Sequence, residues 1–321
     1  MTEAIGPWTA HGARKRALYV DDPYYWEGLA AFRDGLAVCS PGGRSIGEIL
    51  SAVTFLLVKP EAIAGRRTGQ ILEFVQAAGF LVAGGWPVLM GRHETRNLWR
   101  YSLNSVPTAH IRALEMLVSA GPLFLLGLRR PPDLGQVPRG PSAAELLSAV
   151  KGSSSNPDAP ATLRRQLGCP ALMLNFVHAP DEPADVLREL SVLCEPGLLG
   201  RVVRELIAAT EWPQARFDAA AREAAATLAA QCALSPPHDL DVLASLYRLR
   251  DDPGSALPAA TLQAIRSGRV SEEQALGVVR SLELAEDLPR WDRVVAAAHL
   301  VDGLRTGRAP LVGLGRADER E

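Results

Sequence analysis

The sequence predicts an α+β fold, in which a ferredoxin-like domain with an antiparallel sheet is followed by an all-α domain. Two observations lead to this prediction. Between residues 45 and 196, short apolar runs alternate with segments of helical periodicity. After Gly197 only helical periodicity remains, and it includes an alanine-rich segment from Ala219 to Ala230. We therefore expect an N-terminal extension (1–44), an α+β domain (45–196) and a helical domain (197–321).

Composition limits the classes of protein to which the chain can belong. Its 321 residues are 47% hydrophobic and 22% charged, which is typical of a globular protein with a buried core. The net charge of −2 argues against a nucleic-acid-binding face. The four cysteines are scattered, which favours neither disulfides nor a zinc site: Cys39, Cys169, Cys194 and Cys232. No leader peptide or membrane-length apolar run is present, so we expect a cytoplasmic protein.

The elements of the α+β domain are predicted in the order β-α-β-α-α-β-α-β-α. The strands are expected at 52–60, 80–90, 121–130 and 172–178, and the helices at 68–79, 95–103, 109–120, 142–150 and 183–193. Gly84–Gly85 should bend the second strand, and a Pro/Gly loop at 131–141 follows the third. Helices on one face of a small, largely antiparallel sheet give the ferredoxin-like arrangement.

The N-terminal extension and the helical domain contain fewer candidate functional residues than the α+β domain. The N-terminal extension should hold one helix, Pro23 to Val38, whose aromatic cluster Tyr24–Trp26 is typical of a docking face. The helical domain should have five or six helices, with a capping box at Ser271–Gln274. Its histidines, His238 and His299, lack acidic or cysteine neighbours at metal spacing, so we expect surface or packing roles.

A candidate site lies between Asn156 and Glu189. His178 ends the predicted fourth strand, with Asn175 three residues earlier and Glu189 eleven residues later. A carboxylate that holds one imidazole nitrogen leaves the other as a nucleophile. A histidine that closes an apolar strand is otherwise most often a hydrogen-bonded core residue. No G-x-x-x-x-G-K-[ST] loop occurs, so side chains such as Arg164 would have to bind any phosphates.

Lysine usage singles out one more residue. Only three of the 34 basic residues are lysine, namely Lys15, Lys59 and Lys151. A lysine that persists against this bias can supply a compact ammonium group, which arginine cannot. Lys59, at the end of the first strand, would normally be a solvated strand-end charge, but the scarcity of lysine favours a functional role for it.

Four segments together resemble the nucleoside diphosphate kinase family. They are VKPEAI (58–63), SAGPLFLL (119–126), SNPDAPATLR (155–164) and NFVHAPD (175–181), and they occur in the family's order over roughly residues 50–196. The resemblance implies that His178 becomes a phosphohistidine, oriented by Glu189, and passes a γ-phosphate on. It further implies Mg²⁺ bound with ATP or another nucleoside triphosphate.

The resemblance also assigns binding residues. Lys59 and Arg164 would neutralise the transferring phosphates, Ser155 would hydrogen-bond them, and Asn175 would contact the ribose. Tyr101 matches a family tyrosine near the phosphates, one residue out of register, and His110 aligns near the family's base-stacking phenylalanine.

Three departures from the family pattern indicate that the nucleotide pocket has been rebuilt. Ala179–Pro180 replaces a Gly-Ser pair whose serine helps to hold the glutamate, and the Asn156–Arg164 loop is two residues short. The family's second phosphate-binding arginine should fall near Ser148 or Ala149, where no arginine occurs. The candidate substitutes are Lys151, Arg129, Arg130 and Arg139.

Two main functions fit these residues. The first is a kinase that moves the γ-phosphate of a nucleoside triphosphate to a nucleoside diphosphate or a related phosphorylated acceptor. The alternative is a catalytically weak, nucleotide-binding or regulatory module whose helical domain binds a protein partner. A third interpretation gives the helical domain the recognition of a partner or acceptor. Assembly stays open, because the terminal extensions could block a homo-oligomer.

Overall fold

The sheet of the α+β domain is built around one fully buried strand. In the computed structural model, which describes residues 15, 17–39, 43–130, 140–153, 161–252, 259–267, 270–302 and 304, this strand is β1 (Val53–Val58). All six of its residues are buried, as expected for an apolar run without alternation. Its carboxyl end leads directly into Lys59, so the central strand of the sheet positions that residue.

The described sheet has four antiparallel strands in the order β2-β3-β1-β4. The other strands are β2 (Leu81–Val88), β3 (Leu123–Arg129) and β4 (Val177–His178). The pairing of β2 with β3 shifts between Val82 and Gly84, where the sequence predicted a bend. The predicted antiparallel sheet is therefore confirmed.

The fourth strand is much shorter than predicted. The sequence favoured a strand over 172–178, but only Val177 and His178 pair with β1. Phe176 has a φ of +65°, in the left-handed region, and the N–H of Val177 donates to the carbonyl of Asn175 at 2.8 Å. This tight turn interrupts a ladder that the apolar side chains alone would favour.

The structure describes nine helices before residue 195. They are α1 (Pro23–Cys39), α2 (Ile46–Ala52), α3 (Pro60–Ala64), α4 (Thr68–Ala77), α5 (Arg92–Leu98), α6 (Thr108–Val118), α7 (Ala143–Lys151), α8 (Leu163–Leu167) and α9 (Pro183–Leu193). A 3₁₀ turn at Leu103–Ser105 separates α5 from α6. The helix predicted at Pro23–Val38 is confirmed as α1, and it packs on α9. Of its aromatic cluster, Tyr25 is buried and Trp26 is exposed.

The rest of the described chain is helical, as predicted. The helices are α10 (Pro196–Ala209), α11 (Gln214–Leu234), α12 (Val242–Asp251), α13 (Ala259–Ser267), α14 (Glu272–Leu284) and α15 (Arg290–Val301). Ser271 and Gln274 form the predicted capping box of α14. Within the described ranges, no helix combines the length and apolar character that crossing a bilayer requires.

The C-terminal helices pack directly on the α+β domain. Helices α10 and α11 contact β2, and α14 and α15 contact α6. Glycine permits the close approach of α11, because a Cβ on Gly85 would lie 3.0 Å from the Cβ of Ala224. Edge strand β2 is thus covered by a helix of the same chain.

One polar cluster ties the C-terminal helices together. Asp292 of α15 is buried, and its Oδ1 lies 2.8 Å from His238 Nε2 and 2.8 Å from Arg248 Nε. Arg248 also donates to both carboxylate oxygens of Asp239 at 2.9 Å. His238 is therefore a half-buried packing residue, which confirms its predicted role.

Candidate active site

Glu189 holds the candidate nucleophile in one orientation. Strand β4 brings His178 opposite Leu57 of β1, and α9 brings Glu189 to the same place. His178 Nε2 lies 2.8 Å from Glu189 Oε2, and the ring of Trp99 meets the imidazole edge-on at 5.6 Å between centroids. A carboxylate bound at Nε2 favours the tautomer with its proton there, which leaves the lone pair on Nδ1.

The other imidazole nitrogen is available for chemistry. Among the described residues, Nδ1 of His178 has no hydrogen-bond partner, and 16% of the His178 side chain is exposed. A neutral imidazole with one nitrogen anchored and the other open has the arrangement of a nucleophile or a general base. The sequence predicted the pairing of His178 with Glu189, and the structure brings the two residues together.

Lys59 is buried instead of being solvated at a strand end. Its side chain is 3% exposed, and its Nζ lies 2.9 Å from the Met173 carbonyl, 3.0 Å from Asn175 Oδ1 and 2.8 Å from Glu61 Oε1. Burial lowers the pKa of the Lys59 ammonium, and the charge of Glu61 only partly counteracts this effect. All three ammonium protons thus have acceptors within the protein.

These contacts shape the turn that precedes the histidine. Asn175 donates its amide N–H to the Leu172 carbonyl at 2.8 Å, while its oxygen accepts from Lys59. The N–H of Phe176 donates to Glu61 Oε1 at 3.1 Å, and its carbonyl accepts from the N–H of Lys59 at 2.9 Å. The end of β1 therefore fixes the strained residue two positions before His178.

Arg164 also faces inward. It lies on α8, is 7% exposed, and donates from Nη1 to the Gly152 carbonyl at 3.0 Å and from Nη2 to the Val177 carbonyl at 2.9 Å. Its Nε is buried and has no hydrogen-bond partner within the described ranges. Burial lowers the pKa of the Arg164 guanidinium below its usual value. Arg164 thus supports the backbone next to His178.

The remaining predicted residues lie in different parts of the chain. Tyr101 is half-buried, and its hydroxyl donates to Asp22 Oδ2 at 2.9 Å. His110 lies in the first turn of α6, the helix that packs on α14 and α15. Ser155 lies outside the described residues, and so does Arg139, one of the candidate substitutes for the absent arginine.

Of the other candidate substitutes, only Lys151 reaches the site. Arg129 pairs with Val53 at the start of β1, at the opposite end of the strand from Lys59, and Arg130 follows it. Lys151 ends α7, is 7% exposed, and lies 3.1 Å from the carbonyl of Ala179 and 3.5 Å from Asp181 Oδ1. The ammonium of Lys151 is therefore held against the residues that follow His178.

Sequence reasoning missed the contribution of the N-terminal segment. Lys15 Nζ lies 2.5 Å from Asp185 Oδ2, and the hydroxyl of Tyr19 donates to Asp185 Oδ1 at 2.7 Å. Asp185 also accepts the backbone N–H groups of Asp181 and Glu182, at 3.1 and 3.2 Å. This carboxylate fixes the start of α9, the helix that carries Glu189. The signal that could have found Lys15 was the scarcity of lysine.

The described residues contain no group of three histidine, cysteine or acidic side chains arranged to hold a metal ion. Two acidic side chains of the described ranges interact with His178, namely Asp181 and Glu189, and each already accepts from a protein group. A magnesium ion that arrives with a nucleotide would be held mainly by phosphate oxygens and water, which is its usual mode of binding.

Comparison with known proteins finds similarity to one family. The family model for nucleoside diphosphate kinase matches residues 52–197. A nucleoside diphosphate kinase of Geobacter sulfurreducens is 27% identical over 138 residues, which are 43% of this chain and 90% of that protein. The matched range contains the described candidate residues Lys59, Tyr101, His110, Arg164, Asn175, His178 and Glu189.

Solved structures of the same family are also similar to this chain. The nucleoside diphosphate kinase of Aquifex aeolicus aligns with a TM-score of 0.36 and 20% identity, over 46% of this chain and 96% of that chain. The NDP kinase of Pyrobaculum aerophilum aligns with a TM-score of 0.37 and 17% identity, over 46% and 98% of the two chains. In both cases the alignment leaves more than half of the present chain unmatched.

Proposed function

Because this chain carries, in residues 52–197, a domain of the nucleoside diphosphate kinase family, we propose that it transfers the γ-phosphate of a nucleoside triphosphate through a phosphohistidine at His178. The acceptor in this proposal is a nucleoside diphosphate or a related phosphorylated molecule. The observation that carries it is the His178–Glu189 pair, 2.8 Å apart, with Nδ1 left open. A buried anchor on one nitrogen and a free second nitrogen are what a phosphoryl carrier requires.

The proposed reaction has two balanced steps. The Nδ1 lone pair attacks the γ-phosphorus, an N–P bond forms, and the bond to the β,γ-bridging oxygen breaks, so the nucleoside diphosphate leaves with the electron pair. An oxygen of the acceptor's terminal phosphate then attacks phosphorus, and the N–P bond breaks to regenerate the free imidazole. Glu189 keeps the proton on Nε2 and stabilises the positive charge that develops on the ring.

Lys59, Asn175 and Arg164 have a positioning role in this proposal. They join the end of β1, the turn at Phe176 and the backbone of Val177 through buried hydrogen bonds. A nucleophile must be held within a fraction of an ångström of its productive geometry. Magnesium would enter as the counter-ion of the nucleotide phosphates and would neutralise part of their charge.

Labelling with γ-³²P ATP and Mg²⁺ tests the proposal. The wild-type protein should give an acid-labile, alkali-stable phosphoenzyme, His178→Ala should give none, and the surface variant His93→Ala should label like the wild type. Glu189→Gln should label about 10²-fold more slowly, because the imidazole loses the charge that orients it. An unlabelled wild-type protein, or label that persists in His178→Ala, would refute the proposal.

A second candidate is a nucleotide-binding regulator with weak turnover. The observation in its favour is that Lys59 and Arg164 donate to acceptors within the protein, and both side chains are more than nine-tenths buried. Calorimetric titration of His178→Ala with ATP and ADP separates the two candidates. Micromolar binding without any wild-type phosphoenzyme would favour the regulator, whereas rapid phosphate exchange by the wild type would exclude it.

A further inference from the structure

Asp181, three residues after the nucleophile, is surrounded by groups that also bind phosphates. The hydroxyl of Ser148 donates to Asp181 Oδ1 at 2.6 Å, and the ammonium of Lys151 lies 3.5 Å from the same oxygen. The ammonium of Lys15 lies 3.4 Å from Oδ2. One carboxylate therefore lies between a hydroxyl and two ammonium groups, an arrangement equally suited to a phosphate.

The two lysines that contact Asp181 are not equivalent. Lys15 has two further carboxylates, Asp185 at 2.5 Å and Glu182 at 3.5 Å, so its charge stays neutralised without Asp181. For Lys151, Asp181 is the one carboxylate within ion-pair distance in the described ranges, and its other hydrogen bond goes to the neutral carbonyl of Ala179. Loss of Asp181 would thus free the ammonium of Lys151 and not that of Lys15.

Lys151 and Asp181 differ in burial, and this difference favours replacement of the Asp181 carboxylate by a phosphate. Lys151 is 7% exposed, whereas the Asp181 side chain is 49% exposed. The backbone N–H groups of Asp181 and Glu182 are anchored to Asp185. The Asp181 side chain can therefore turn towards water while its backbone stays fixed, and the groups behind it would then face the vacated space.

The charges around Asp181 keep its carboxyl group ionised, as competition with a phosphate for Lys151 requires. Burial opposes ionisation of Asp181, but Lys151 and Lys15 together hold the pKa of its carboxyl group well below the usual range. Asp181 is consequently an anion at neutral pH. His178 and Arg164 also interact electrostatically with Asp181, and the carboxylates of Asp185 and Glu182 share Lys15 with it.

We infer that Lys151 and Ser148 form an anion subsite beside His178, that Asp181 occupies it in the nucleotide-free protein, and that a nucleotide phosphate displaces Asp181. The inference rests on the proposed function for the identity of the ligand. When the phosphate binds, the ion pair between Lys151 and Asp181 breaks. The ammonium of Lys151 then interacts with the phosphate instead. Competition between the carboxylate and the phosphate for one ammonium sets the affinity of the subsite.

Isothermal titration with inorganic pyrophosphate, at constant ionic strength and without Mg²⁺, tests this inference. Asp181→Asn keeps an acceptor for Ser148 but removes the competing charge, so we expect pyrophosphate to bind about tenfold more tightly than to the wild type. The double variant Asp181→Asn/Lys151→Met removes the buried pair together, which avoids an uncompensated charge, and should lose that gain completely. Asp239→Asn, the same charge change in the C-terminal helices, is the matched control and should bind like the wild type.

Two results would overturn the subsite. One is an Asp181→Asn variant, folded by thermal melting, whose affinity for pyrophosphate is unchanged or weaker. The other is a double variant that binds as tightly as Asp181→Asn. The phosphoenzyme assay keeps this inference separate from the proposed function. A phosphohistidine without the Asp181→Asn gain refutes only the subsite, and the gain without a phosphohistidine refutes only the phosphotransfer.

Discussion

The hydroxyl of Tyr101 donates to the carboxylate of Asp22, 2.9 Å away, and thereby joins the candidate site to the segment that precedes α1. The same carboxylate oxygen accepts from Arg188 Nε at 2.6 Å, and Arg188 is the neighbour of Glu189 on α9. The guanidinium of Arg188 also stacks over the ring of Tyr101, at 5.0 Å from its centroid. The N-terminal extension is therefore part of the structure that holds Glu189 in place.

Asp22→Ala should destabilise the protein by about 3–5 kcal/mol, because it leaves Arg188 buried without its carboxylate. Tyr101→Phe removes only the hydroxyl and should cost about 1 kcal/mol. Urea unfolding of the two variants beside the wild type measures both effects. If Asp22→Ala unfolds with the wild-type free energy, the pair does not contribute to the fold as described.

Gly28→Ala should separate α1 from α9. A Cβ on Gly28 would overlap the carbonyl oxygen of Leu187 and lie 2.9 Å from Ser191 Oγ, so the two helices would have to move apart. We expect a loss of roughly 1–3 kcal/mol from this overpacking. Gly277→Ala is the matched control, since a Cβ there meets nothing within 4 Å and should stabilise α14 by about 0.5–1 kcal/mol. Equal melting temperatures for the two variants would contradict the prediction.

A double-mutant cycle on Lys59 and Glu61 should show strong coupling. Lys59→Met leaves the fully buried Glu61 without its cation, which should cost about 3–5 kcal/mol of folding free energy. Lys59→Met/Glu61→Gln removes both charges and should be less destabilised than Lys59→Met alone. Chemical denaturation supplies the four free energies. Additive effects would indicate that the Lys59 ammonium is not held by Glu61.

Acid should weaken the C-terminal cluster within a defined pH range. Hydrogen bonds from Arg248 lower the pKa of Asp239 to about 2, against about 4 in the unfolded chain. Since the folded pKa is the lower one, this stabilisation is complete above pH 4 and is lost as the pH falls towards 2. The difference in unfolding free energy between wild type and Asp239→Asn should therefore be constant above pH 4 and shrink below it. A difference that stays constant down to pH 2 would contradict the prediction.

The sequence predicted the α+β fold and the pairing of His178 with Glu189, because both depend on short motifs and local periodicity. It predicted too long a fourth strand, since the apolar side chains around Phe176 favour a strand while the backbone turns there. The left-handed φ of Phe176 is sustained by Glu61 and Lys59, more than 110 positions earlier in the chain. A pattern within one segment contains no information about such supports.

The sequence also did not predict that the side chains of Lys59 and Arg164 point into the protein. A lysine at a strand end and an arginine beside a loop are normally solvated, and the family pattern suggests phosphate contacts. Whether their donors face a ligand or the protein depends on carbonyl groups such as those of Met173 and Gly152, which every residue carries. The contacts of Lys15 and Tyr19 with Asp185 join segments more than 160 residues apart, and no periodicity signals them.

The burial of all three lysines has a practical consequence. Lys15, Lys59 and Lys151 are each at most 7% exposed, and the chain has no others. An amine-acylating reagent therefore meets no exposed lysine ammonium on the folded protein, although it would find three on the unfolded chain. Mass spectrometry of the acylated peptides would time the exposure of each lysine separately. The protein thus contains its own chemical reporters for the opening of the region around His178.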